Sequence, residues 1–198
     1  ANKVAKALAG PLSWVSMNAF TGGYIRLIET YLGVLQGKGA GSGWSLESEV
    51  AAAAAQLNRS SPVVFDVGAN VGKWSSLFYD RFPGGRFFLF EPQEACHEAI
   101  ENLGIPNSIL IPKAASSTTG QKIPLLTDGA GSETASVYAR RDSFYGSRDL
   151  GSLLVETTTI DEVIRDYELD FVDFMKLDVE GHELEVLAGA ATSLEAGR

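Results

Sequence analysis

Three short strings hold the residues best suited to chemistry: Asp66-Val-Gly-Ala-Asn-Val-Gly72, Phe90-Glu-Pro92 and Lys176-Leu-Asp-Val-Glu-Gly-His182. In the first, Gly68, Ala69, Asn70 and Gly72 form a turn whose small residues let a ligand approach backbone N–H groups, two residues beyond the acid Asp66. Asn70 tolerates a left-handed backbone better than most residues. In the second, Glu91 follows Asp66 by 25 residues, near the offset of an acid that accepts hydrogen bonds from both hydroxyls of a ribose. The third string ends a strand that delivers Asp178 and Glu180, with His182 just beyond, to the same edge as Asp66 and Glu91. Each has a plainer alternative: a tight turn that needs glycine, an Asp178 that binds backbone, a Glu180 that favours a helix N-terminus. Paired carboxylates also suit a divalent ion, but no third ligand is in view, so no metal is expected.

The elements around these strings have to bring them to one place. From Pro62 onward, residues 63–65, 87–90, 109–111 and 174–177 are short apolar runs without alternation, as in strands covered on both faces. Helical stretches at 73–81 and 94–103 separate the first three, which is the order of a doubly wound, mostly parallel α/β sheet. In such sheets ligands bind at the carboxyl edge, where all three strings fall. Lys176 sits inside an apolar strand and either pairs with a neighbouring acid or reaches the sheet edge. Residues 121–126 predict a further strand, and Thr159-Ile-Asp-Glu162 is a capping box that starts a helix at Ile160.

Upstream, residues 24–35 and 46–57 have helical periodicity, with Ser45 as N-cap of the second and a glycine-rich linker at 37–43 between them. This predicts an N-terminal helical extension, 1–44, ahead of an α/β domain, 45–198. The linker contains a G-x-G-x-G string that follows a helix rather than a strand, which argues against a nucleotide-binding role. The aromatic and basic residues within 129–151 are either a substrate-covering excursion or plain surface.

Composition narrows the function classes. The formal net charge is −9, and residues 156–185, with eleven acids against two bases, account for all of it. With a pI near 4.7 and no basic stripe, nucleic acid is not an expected partner. Cys96 is the lone cysteine, which suits a reducing, cytoplasmic setting. No apolar run approaches the ~20 residues of a membrane span.

Taken together, 66–74 (D-V-G-A-N-V-G-K-W), 90–92 (F-E-P), 159–162 (T-I-D-E) and 176–190 (K-L-D-V-E-G-H-E-L-E-V-L-A-G-A) resemble the FkbM-type family of S-adenosylmethionine-dependent methyltransferases. The resemblance implies a Rossmann-like class I methyltransferase fold, S-adenosyl-L-methionine as cofactor, and methyl transfer to a hydroxyl of a sugar or natural-product small molecule. It implies that Asp66, Gly68, Ala69, Asn70 and Gly72 surround the methionine part of the cofactor, that Glu91 holds its ribose, and that Ala114 lies near the adenine. Asp178 or Glu180 would act at the reacting centre, where negative charge suits a sulfonium. His182 ranks behind them, since the family pattern leaves its position variable. Such a sheet usually has seven strands, so a chain with four core strands is expected to lack the last ones. The rivals are a nicotinamide-dependent oxidoreductase, disfavoured by the missing G-x-G-x-x-G, and a non-catalytic cofactor-binding module.

Overall fold

The computed structural model describes residues 45–127, 129, 131, 135–137 and 151–198. The helix and linker expected before residue 45, and most of the 129–151 excursion, lie outside the described residues. The chain divides between Glu49 and Val50, and the unit analysed below is Val50–Arg198. A short helix, α1 (Leu46–Ala54), crosses its start, with Ser45 accepting a hydrogen bond from the Ser48 N–H through Oγ, 3.3 Å.

Four strands make the central sheet: β1 (Val63–Val67), β2 (Arg86–Phe90), β3 (Ser108–Ile111) and β7 (Phe174–Leu177), in the order β3-β2-β1-β7 and all parallel. These are the four apolar runs the sequence marks. Alternate residues of each strand face opposite layers. Phe65, Val67, Phe88, Phe90 and Ile111 pack with Ile160, Val163 and Ile164 of α4 (Ile160–Asp166) and Val186 of α5 (Glu183–Ala188). On the other face Trp74 and Phe78 of α2 (Lys73–Tyr79) stack with Phe174, ring centroids 5.8 and 5.7 Å apart. Helix α3 (Glu94–Glu101) joins β2 to β3. A mostly parallel sheet between helical layers is the Rossmann-like architecture expected, and its strand order reverses between β1 and β7.

A second, three-stranded sheet, β4-β6-β5, consists of β4 (Ala114–Ala115), β5 (Lys122–Thr127) and β6 (Gly151–Thr158). Strand β5 matches the extra strand expected at 121–126. Strand β6 has no counterpart in the sequence reading: the consecutive Leu153 and Leu154 are both exposed, 43% and 67%, and mask its alternation. No helix among the described residues is long and apolar enough to cross a membrane.

The T-I-D-E string is structural. Thr159 caps α4 by accepting the Glu162 N–H at 3.1 Å. Glu162 does not reach back to close the capping box; its carboxylate accepts from Thr119 and Thr158 hydroxyls, 2.7 Å each. The Asp161 carboxylate accepts the N–H groups of Thr192 and Ser193 at 3.0 and 2.9 Å, capping α6 (Ala191–Glu195) from a different helix. Burial pushes the Asp161 carboxyl up, but these bonds outweigh it and hold it below the ordinary 3.8. A depressed folded-state value means stability that is present above 3.8 and lost as pH falls through the folded value. Asp161→Asn, which turns an amide N–H₂ toward one of the two donors, should therefore cost about 1–2 kcal/mol at pH 7. Urea unfolding at pH 7 and below pH 3.8 checks this: the gap from the unsubstituted protein should shrink with acid.

Asp173 also has a structural task. Its carboxylate accepts the Val63 N–H at 2.8 Å and pairs with Arg59 at 3.1 Å, fastening the starts of β1 and β7 together.

Candidate active site

Strand β1 ends at Val67 and the chain turns at once, through Gly68, Asn70 and Gly72 with φ of 82°, 49° and 73°. The spacing predicts turn N–H groups facing a ligand, whereas five successive ones are taken up inside the protein. Gly68 and Ala69 both donate to the Phe90 carbonyl at 3.1 and 3.0 Å, and Gly72 donates to Ala69 at 2.8 Å. Asn70 N–H donates to Glu91 Oε2, and Val71 N–H to Asn70 Oδ1, each at 2.8 Å. The cause is the parallel neighbour: β2 ends alongside and supplies a carbonyl and a carboxylate just where the turn needs acceptors.

The glycines likewise make room for protein. A Cβ on Gly68 would lie far inside contact with the Asp178 carbonyl oxygen, and one on Gly72 would strike Leu103. The first glycine lets the end of β7 close against β1; the second gives the Leu103 side chain, just beyond α3, room at the start of α2.

Glu91 is 3% exposed. Besides the Asn70 N–H it accepts the Gln93 N–H through Oε1 at 2.8 Å. Burial raises its pKa above the ordinary 4.5, opposed by those two hydrogen bonds. The Gln93 side chain bonds to it as well, so of the roughly four lone-pair positions a carboxylate offers, about one stays open. Next to it Cys96 is buried, and its thiol is pushed up to about 11, by burial first and by Glu91 second.

The sheet register settles the two readings of Lys176. It is the direct neighbour of Asp66 across β1 and β7, on the α2 face. Its ammonium lies 3.3 Å from Asp66 Oδ1 and 3.4 Å from Asp178 Oδ2, and donates to the Gly68 carbonyl at 3.4 Å. Asp66 is 1% exposed and also accepts from the Ser75 hydroxyl at 2.8 Å. Burial raises the Asp66 pKa, opposed chiefly by Lys176. Lys176 thus joins a buried acid at the sheet interior to Asp178 at the rim, whose side chain is 63% exposed.

Beyond Asp178 the chain makes a left-handed pair, Glu180 at φ 54° and Gly181 at φ 102°, before entering α5. The Glu180 carbonyl accepts the Ser136 hydroxyl at 2.7 Å. His182 is 6% exposed and lies at the N-cap of α5, with Nε2 3.0 Å from the Ser116 hydroxyl and Nδ1 3.7 Å from Glu185 Oε2. The protein therefore brings Asp66, Gly68, Ala69, Asn70, Gly72, Glu91 and Asp178 into one hydrogen-bonded edge, with Glu180 in the adjoining turn. His182 turns instead into the packing between α5 and the segment after β4. Ala114 pairs with Thr157 and packs with Leu125 and Val155 in the small sheet.

Sequence reasoning missed Ser75, Ser116 and Ser136. Their partners lie 9, 66 and 44 residues away, and an isolated serine carries no local signal of such a bond. Among the described residues no cluster of three or more His, Cys, Asp and Glu is arranged to hold a metal ion.

Three proteins of known activity are similar to this chain. The 2-O-methyltransferase NoeI of Sinorhizobium fredii is 28% identical over 152 residues, covering 72% of this chain and 63% of its own. Methyltransferase sdnD of Sordaria araneosa is 28% identical over 157 residues, covering 66% and 61%. The hexuronic acid methyltransferase AglP of Haloferax volcanii is 30% identical over 139 residues, covering 68% and 52%. The matched region thus spans between about half and two thirds of each relative's length. The Methyltransferase FkbM domain matches residues 66–198, beginning at the buried acid of the first turn and taking in every site residue described above. By that match, this chain belongs to the FkbM methyltransferase domain family.

Proposed function

We propose that this chain is the catalytic core of an S-adenosyl-L-methionine-dependent methyltransferase that methylates a hydroxyl oxygen on a sugar or natural-product small molecule. The observation that carries the reading is the Glu91 carboxylate, hydrogen-bonded to Asn70 at the β1 turn, one strand away from the acids that follow β7. Family membership supports methyl transfer, and the relatives named as a 2-O-methyltransferase and a hexuronic acid methyltransferase favour an oxygen acceptor on a carbohydrate-like molecule.

The donor set fits such a cofactor. Glu91 keeps acceptor capacity for a ribose hydroxyl beside its bonds to Asn70 and Gln93, and Ala114, at the start of the small sheet, would lie toward the adenine. Asp66, Gly68, Ala69, Asn70 and Gly72 shape the turn that faces the methionine part. Asp178 and Glu180 would put negative charge beside a sulfonium cation, an attraction that water screens at the exposed Asp178. When bound, the cofactor supplies an electrophilic methyl group. The chain's own work is to align the acceptor oxygen with it and to take the hydroxyl proton, for which Glu180 or Asp178 is the base.

Calorimetry tests the cofactor: S-adenosylmethionine should bind in the micromolar range or tighter, and NAD should produce no heat. Labelled methyl should then appear on members of a panel of glycosides and hydroxylated natural products. Binding of NAD with a silent S-adenosylmethionine titration would overturn the reading, and cofactor binding without transfer to any acceptor would reduce it to a binding module.

A further inference from the structure

Glu180 holds a left-handed backbone conformation, φ 54°, that is costly for a non-glycine residue, and such strain persists only where the surroundings over-determine it. Three bonds do so. The Gly181 N–H donates to Glu183 Oε1 at 3.1 Å, and the His182 N–H donates to the Val179 carbonyl at 3.3 Å. The third is the Ser136 hydroxyl on the Glu180 carbonyl at 2.7 Å, and it comes from outside the turn.

Ser136 is well placed to act as a fixed post. Its backbone exchanges two hydrogen bonds with Leu126 of β5, 2.7 and 2.9 Å, and it is only 3% exposed. Five residues before it, the Gly131 carbonyl accepts from the Asn70 side chain at 3.3 Å. The connection leaving β5 therefore touches both turns of the candidate site, the one after β1 and the one after β7.

We propose that Ser136 is a positioning residue for methyl transfer: by gripping the Glu180 carbonyl it holds the Asp178–Glu180 turn in its strained form and sets where the two carboxylates meet the acceptor. The inference rests on the function proposed above. It assigns a role in turnover to a residue outside the family's matched strings. Removing the hydroxyl leaves the cofactor turn and Glu91 untouched, so cofactor affinity and turnover should separate.

The experiment compares Ser136→Ala and Ser136→Thr with the unsubstituted chain. Ser136→Ala should accelerate hydrogen exchange of the amides at 178–182 by about tenfold, the worth of one hydrogen bond to a turn. It should lower kcat by about tenfold while the Kd for S-adenosylmethionine stays within about twofold. Ser136→Thr, which keeps the hydroxyl, should recover most of both losses. Unchanged exchange at 178–182 in Ser136→Ala, or a threonine variant no better than alanine, would overturn the proposal. If the unsubstituted chain itself binds no S-adenosylmethionine, the function proposed above fails, and the exchange measurement still decides whether Ser136 holds the turn.

Discussion

Gly68→Ala should lower stability by about 3 kcal/mol, the sum of a left-handed backbone cost and an overpacked contact. The added methyl has nowhere to go. It meets a backbone carbonyl, Asp178 O, rather than the tip of a side chain that could rotate away. Relief requires β1 and β7 to part at their carboxyl ends, which would pull on the Asp178 N–H bond to Val67, 3.0 Å, and on the Lys176 ammonium between Asp66 and Asp178. The Tm should fall by roughly 10 °C. Cofactor affinity should fall further than stability accounts for, since the moved atoms are those of the candidate site.

Gly189→Ala supplies the control. Its Cβ would also run into a backbone carbonyl, that of Ser116, yet Gly189 has φ of −74°, open to any residue. It should lose stability by overpacking alone, about 1–3 kcal/mol, while calorimetry on the folded protein finds cofactor affinity unchanged. Equal losses of affinity in the two variants would separate Gly68 from the site.

The comparison also shows what the residue string could and could not carry. The four core strands were legible because strands buried on both faces need unbroken apolar residues, and 63–65, 87–90, 109–111 and 174–177 supply them. The parallel order and the carboxyl-edge site followed from strand–helix alternation. What the glycines were for did not follow. A glycine that clears space for a ligand and one that clears space for a β7 carbonyl read alike until the strand 110 residues away is in place. The same separation hid the partner of Lys176, which only the β1–β7 register reveals. Thr159-Ile-Asp-Glu162 reads as a capping box in sequence, and the larger duty of its two acids, fastening α6 and the segment after β4, depends on donors 31 and 43 residues away.

Glu180→Gln should reduce kcat by about a hundredfold or more, the usual worth of a positioned general base, with cofactor affinity within about threefold. The reason to single out Glu180 over Asp178 is conformational. Asp178 has a structural task, since its carboxylate is held 3.4 Å from Lys176. Glu180 stands at φ 54°, where glycine would be the cheaper residue, directly before a glycine that shares the bend. A carboxylate kept at a strained position points to a use for its side chain. Glu180→Gly makes that trade visible: stability should stay level or rise by up to about 1 kcal/mol as the strain is released, while turnover falls at least as far as in Glu180→Gln. Thermal unfolding and single-turnover methyl transfer on the two variants decide the matter. Turnover at the unsubstituted rate in Glu180→Gln would move the base to Asp178, where Asp178→Asn should then show the loss, along with a weakened hold on Lys176.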